Sequence, residues 1–330
     1  MTIREKLDVI RNELGGRPEF DPEMWKMLDL TTLKLRNVHG DKLVQRYRDI
    51  VTTLLWLRRP SMDNEPISQS HFSTVWWLRM LAQTEAELER RKITDIDVSE
   101  GASQERLIPD CEPEMETDFK TWARVSTMDR LLETLTAGEI WFSPAEGFDD
   151  PKLNAAQRDD ELRRQRSTPG QTLKIVGSKG RSMIPIGDVT YTRQADAYWL
   201  SSWSTGPDLR LIDEFQVDAC LVVWNPSEFD ERINAAVERD LPGWFYASFP
   251  IQYVDEYDMV NTERMSVSMT KEFRFARQRE LRLGLLASSG AVKPAGGFLV
   301  KAGSIEDIAS VYDRRGDKVA GSGPDCIRRS

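Results

Sequence analysis

The stretch FARQRELRLGLL, residues 275–286, joins two patterns: polar residues crowded behind an aromatic, then leucines at every second place. Period-two alternation marks a β-strand whose two faces meet different surroundings. Leu281, Leu283 and Leu285 fall on one face, so Gln278, Glu280 and Arg282 fall on the other. Such a strand suits an antiparallel or mixed sheet, because strands of a doubly wound parallel sheet are buried on both faces and read as near-continuous apolar runs. Outward from here, strands of the same mixed texture are expected at KTWARV, EIWFS, DVTYT, AYWLSSWS, ACLVVW, YASFPIQYV and GFLVKA. Helices are expected at STMDRLLETLTAG, with Ser126 as N-cap and Gly138 just past the end, at PSEFDERINAAVERDL, and at NTERMSVSMTKEFRFA. The expected class is therefore α+β.

The first part of the chain has another texture. IREKLDVIRNEL, PEMWKMLDLTTLKL, GDKLVQRYRDIVTTLLWLRR and HFSTVWWLRMLAQTEAELERRK repeat apolar residues at three- and four-residue spacing, the period of amphipathic helices. The expected organisation is an all-α domain over residues 1–97, an acidic linker over 98–118 and an α+β domain over 119–330. Trp56, Trp76 and Trp77 lie on the helices and are expected to be largely buried, between helices or against the second domain.

Composition narrows the function. Against 45 Lys and Arg stand 54 Asp and Glu, a net charge of -9 that disfavours non-specific nucleic-acid binding. The 3 cysteines, Cys111, Cys220 and Cys326, are far apart and form neither a disulfide framework nor a zinc knuckle, so a reducing cytoplasm is the expected location. No apolar run is long enough to span a membrane, and no membrane partner is expected. His39 and His71 have no second ligand on the same helical turn, so no metal site is expected from imidazole. Dinucleotide-binding glycine fingerprints, phosphate-binding loops and the hydrolase nucleophile elbow are missing.

Three polar interruptions remain in otherwise apolar strands: Arg124 in TWARV, Ser201, Ser202 and Ser204 in LSSWST, and Gln278 with Glu280. Their order, Arg124, then Ser202-Trp203-Ser204, then Gln278-Arg279-Glu280, with Phe275 ahead, resembles the Arg-Ser-Glu class of ADP-ribosyltransferases. A second resemblance covers about residues 119–312: LTAGEIWFSPAEGFDDP, IQYVDEY and KEFRFARQRELRL are similar to an uncharacterised bacterial domain family with Phe-Asn-Asp-Pro and Tyr-Glu-x-Glu-Trp-Arg motifs. Here the first motif reads Phe148-Asp149-Asp150-Pro151, Leu281 replaces the Trp, and the family's Met-Trp-x-His-Tyr segment is missing.

The resemblance implies an ADP-ribosyltransferase-like domain acting on NAD, a bacterial toxin or defence effector that modifies a macromolecular acceptor, protein or nucleic acid. Glu280 would stabilise the oxocarbenium cation formed when nicotinamide leaves, and Gln278 would orient the acceptor. Arg124 would grip the cofactor phosphates, Ser202 and Ser204 would brace the sheet, and Phe275 would face substrate. All should then line one cleft. The helical domain would recognise the acceptor or an inhibitor protein. Two other readings stay open: a non-catalytic nucleotide- or partner-binding module on the same fold, and a metal-dependent nuclease using Asp149, Asp150, Asp159 and Glu161.

Overall fold

The computed structural model describes residues 3–14, 21–32, 34–57, 74–94, 96–98, 121–257, 266–288, 291 and 296–327. The linker expected over 98–118 lies outside the described residues except for Val98. Four helices come first: α1 (Ile3–Leu14), α2 (Pro22–Thr32), α3 (Gly40–Leu57) and α4 (Thr74–Arg90). Their apolar stripes supply Leu7, Ile10, Trp25, Ile50, Leu54, Trp77 and Leu81 to one cluster, which also contains Ile251, Tyr253, Phe273 and Phe275 from far along the chain. Trp56 and Trp77 are buried and Trp76 is half-buried.

The rest is mixed α+β. Its main sheet contains β1 (Trp122–Ser126), β2 (Glu139–Pro144), β7 (Trp199–Thr205), β8 (Ala219–Val223), β9 (Trp244–Pro250), β12 (Glu280–Ala287), β13 (Phe298–Lys301), β14 (Ala309–Asp313) and β15 (Lys318–Gly321). The path runs β13-β2-β7-β1-β8-β14-β15, while β12 joins β7 to β9, and every pairing in it is antiparallel. Strand β7 is the junction. Along one edge it pairs with β12 from Trp199 to Ser204, and its other edge is shared by β2 at Trp199 and Leu200 and by β1 at Ser204 and Thr205.

One face of this sheet is apolar. Trp122, Trp199, Trp203, Leu281, Leu283 and Leu285 pack with Leu131 and Leu135 of α5 (Met128–Ala137) and with Phe229 and Ile233 of α7 (Pro226–Asp240). A fully buried leucine contributes about 1.5–3 kcal/mol relative to an exposed one, so the alternating leucines of β12 anchor this layer. Local chemistry agrees with the placement of both helices. Asn225 accepts a hydrogen bond from the Glu228 amide and Pro226 fills the first helical position of α7. Gly138 ends α5 in the left-handed region at φ 63°, where a Cβ would lie 2.0 Å from the Gly303 carbonyl oxygen.

Two local expectations change. The N-cap of α5 is Thr127, because β1 continues through Ser126, and the free Met128 amide donates instead to the Asp218 carboxylate. The helix expected over 261–276 is replaced, in its described part, by a 3-10 turn at Val267–Met269, the strand β11 (Thr270–Glu272) and a 3-10 segment at Phe273–Gln278. Strand β11 pairs in parallel with β10 (Gln252–Val254), so the ladder satisfies backbone groups that helix formation would have satisfied. An arm also leaves the body between β2 and β7. It consists of β3 (Arg163–Thr168) paired with β6 (Val189–Gln194), with β4 (Ile175–Val176) and β5 (Ser182–Met183) beyond them. Helix α6 (Arg210–Phe215) follows β7. Among the described residues no helix is long and apolar enough to cross a membrane.

Candidate functional site

Residues adjacent on a strand point to opposite faces, and this parity sorts the candidates. Ser202 and Glu280 share the face opposite the leucines. The Ser202 hydroxyl donates to Glu280 Oε1 at 3.1 Å. Lys271, carried by β11, places its ammonium 2.6 Å from Glu280 Oε2 and 3.1 Å from Gln278 Oε1. Arg282, two places along β12, donates from Nε to Glu280 Oε1 at 2.7 Å. Gln278 completes its bonding by donating to the Ala156 carbonyl at 2.8 Å, and the Tyr253 hydroxyl accepts from the Glu280 amide at 2.7 Å. Phe275 is buried below Lys271, whose ammonium stands 4.6 Å from the ring centre. Ser204 is half-buried and lies directly across from Glu280 in the β7–β12 register.

Arg124 is elsewhere. Its Nη1 donates to Ser201 Oγ at 2.9 Å and its guanidinium lies 5.6 Å from the Trp203 ring, both on the leucine face. The expectation that Arg124, Ser202 and Glu280 line one cleft is therefore corrected: the sheet stands between Arg124 and Glu280. Arg124 has the parity of Trp122, and the β1–β7 register turns that parity toward Trp203. Phosphate gripping by Arg124 beside Glu280 is ruled out by this geometry.

The charges around Glu280 extend further. Arg282, fully buried, brings Nη2 to 2.6 Å from Glu161 Oε2 and donates from Nη1 to the Tyr198 hydroxyl at 3.1 Å and to the Ser268 carbonyl at 2.7 Å. Glu161 also lies 3.2 Å from Arg164, which pairs with Asp159 at 2.9 Å and donates to the Thr270 carbonyl. Three cations, Lys271, Arg282 and Arg164, thus balance three carboxylates, Glu280, Glu161 and Asp159, which lets the charges survive burial. Burial raises the Glu280 carboxyl, yet Arg282 and Lys271 more than offset this and bring it down to about 2. Glu161 moves the other way: burial dominates there and raises its carboxyl despite Arg282. Sequence reading placed Arg282 on the right face but gave Lys271, Tyr198 and Tyr253 no part.

Beside this network opens a cavity of about 440 Å³, within the ~300–1,000 Å³ typical of small-ligand sites. Six arginines and six carboxylates line it, contributed by the β3–β6 arm, by the 254–256 and 267–274 segments, and by Asp149 and residues 158–160. Arg164 and Asp159 belong both to this wall and to the network. Arg158 and Arg163 are exposed on it and pair with no described residue, whereas Asp255 is taken by Arg46 of α3 through two hydrogen bonds of 2.7 Å.

The acidic set Asp149, Asp150, Asp159 and Glu161 does not converge. Asp150 accepts from the Lys152 amide, Asp159 and Glu161 are held by arginines, and no group of three His, Cys, Asp or Glu suited to a metal ion occurs among the described residues. In comparisons with known proteins, no family model, no curated protein and no solved structure matches the chain.

Proposed function

We propose that the protein is a nucleotide-binding module: the cavity takes a dinucleotide of the NAD type, and the Glu280 network braces one of its walls. One observation carries this reading over catalysis. Glu280 is 3% exposed, and its two oxygens already meet Lys271, Arg282 and Ser202. A carboxylate neutralised by two cations in contact has little field left for an oxocarbenium ion. The cavity, by contrast, presents unengaged Arg158 and Arg163 beside carboxylates, a mixed surface suited to a ligand carrying both a pyrophosphate and a nicotinamidium cation. In this reading the α+β part is an ADP-ribosyltransferase-like fold, and residues 1–97 form an all-α domain seated on the cavity wall made by residues 254–256 and 267–274.

A second reading, mono-ADP-ribosyl transfer to a macromolecular acceptor, draws on one contact: Ser202 donates to Glu280, with Gln278 two residues ahead and tied to the same lysine. Titration calorimetry with NAD, run beside an assay for released nicotinamide, separates the two. Binding without release, weakened about tenfold or more by Arg158→Ala with Arg163→Ala, is the expected result. Nicotinamide release that disappears in Glu280→Gln would install the transferase instead, and the lack of any heat with NAD or ADP-ribose would remove both.

A further inference from the structure

The β3–β6 arm differs from the rest of the molecule in charge and in surface. Residues 162–187 contain six Lys and Arg and no Asp or Glu, within a chain of net charge -9. Beyond the β3–β6 pairing the arm carries Ile175 43%, Val176 60%, Met183 65%, Ile184 66% and Ile186 107% exposed, the densest run of bare aliphatic side chains among the described residues. Lys174, Lys179 and Arg181 flank them, all exposed and none paired with a described residue. Backbone groups of this outer part are already partly satisfied, by the Ile175–Met183 ladder and by the Gly177 amide donating to the Arg181 carbonyl. A short hairpin with bare aliphatics, ringed by unpaired cations, has the chemistry of an element that lies in the interface of an anionic bilayer.

We infer that the outer arm docks on an anionic lipid surface, with Ile175, Val176, Met183, Ile184 and Ile186 entering the headgroup and acyl boundary while Lys174, Lys179 and Arg181 meet lipid phosphates. Charge complementarity selects this occupant, since an acidic molecule carries its cations here and leaves them unneutralised. Nucleic acid would use the same cations but would leave the aliphatics in water, because single strands are gripped by stacking on aromatic rings and the hairpin itself has none. A second copy of the chain would bring a like-charged arm to the same place. The absence of an apolar run long enough to span a bilayer does not conflict with this docking, because a hairpin lying in the interface leaves no such run in the sequence. The inference is independent of what fills the cavity.

Vesicle flotation with the full chain tests it, using phosphatidylcholine alone against phosphatidylcholine mixed with phosphatidylglycerol. Wild type should float with the anionic vesicles and not with the neutral ones, and added salt should reduce the bound fraction. Changing Lys174, Lys179 and Arg181 together to Gln should weaken binding on the order of a hundredfold, from about a fivefold step per cation. Ile184→Ser with Ile186→Ser should weaken it roughly tenfold or more, with circular dichroism and melting unchanged because these side chains are exposed. Failure of wild type to float, or binding by both variants as tight as that of wild type, would overturn the inference. So would an oligonucleotide bound more tightly than the vesicles, or a dimer that Ile184→Ser with Ile186→Ser dissolves while vesicles stay unbound.

Discussion

Glu280 holds Lys271 at 2.6 Å and Arg282 at 2.7 Å in a place closed to water, so either cation left alone there would be costly. Lys271→Met should therefore lower unfolding free energy by about 3–5 kcal/mol in urea, and a loss near zero would show that the pair is dispensable. The double variant Lys271→Met with Glu280→Gln should recover part of that loss in a double-mutant cycle. The pH dependence has a defined sign. Glu280 is depressed from an ordinary value near 4.5 to about 2, so its stabilisation is complete above pH 4.5 and fades as pH falls toward 2. Glu161, raised by burial, acts oppositely, since its protonation on acidification favours the folded state. Urea midpoints measured across that window should fall in wild type and stay flatter in Glu280→Gln. How much of this was legible in sequence follows from parity. The alternation of 280–285 placed Glu280 and Arg282 on one face and the leucines on the other, as the structure has them. Arg124 shows the limit: its parity on β1 was readable, but which face of β1 continues which face of β7 depends on the register between strands, and a single sequence does not carry it.

Among the elements, the helices with clear 3.6-residue patterns and the main-sheet strands from β1 to β13 were legible through their apolar texture, whereas β14 and β15 went unread, β14 because it is buried on both faces and shows no alternation. Residues 261–276 went otherwise. Their helical spacing is real, but β10 offers β11 a ladder and the helices α3 and α4 take Phe273 and Phe275 into their own core, so tertiary packing overrides local preference. The arm was legible only in DVTYT of β6, since its other strands are short and polar or bare and show no buried face. The position of Arg124 makes a distinct prediction at this level. Arg124→Ala removes a hydrogen bond to Ser201 and a stacked cation beneath Trp203, so it should cost about 1–3 kcal/mol in thermal or urea unfolding while leaving NAD affinity within about twofold. Affinity lost together with stability would return Arg124 to the ligand site.

For the molecule as a whole, a buried latch ties the helices to the cavity wall. Arg46 of α3 grips Asp255 on the cavity wall by two 2.7 Å bonds and stacks 5.2 Å from the Phe273 ring and 5.3 Å from the Tyr257 ring. Nothing in the sequence announced it, because its partners lie 209 residues apart. Arg46→Ala strands a buried carboxylate, so unfolding stability should drop by about 3–5 kcal/mol and ligand affinity should fall with it. A variant of normal affinity would mean that the wall keeps its shape without the helices. The branching of β7 has a further consequence, for the order in which the protein is made. Its edges are completed by β1 and β2, which are synthesised before it, and by β12, which leaves the ribosome some seventy-odd residues later with both the leucine face and Glu280. Until then the nascent sheet has an open edge at β7, although α5 and α7, which pack on its apolar face, are already made. Closure must therefore follow synthesis of nearly the whole chain and proceed slowly through distant pairings. In that interval the exposed edge of β7 is the segment most in need of a chaperone.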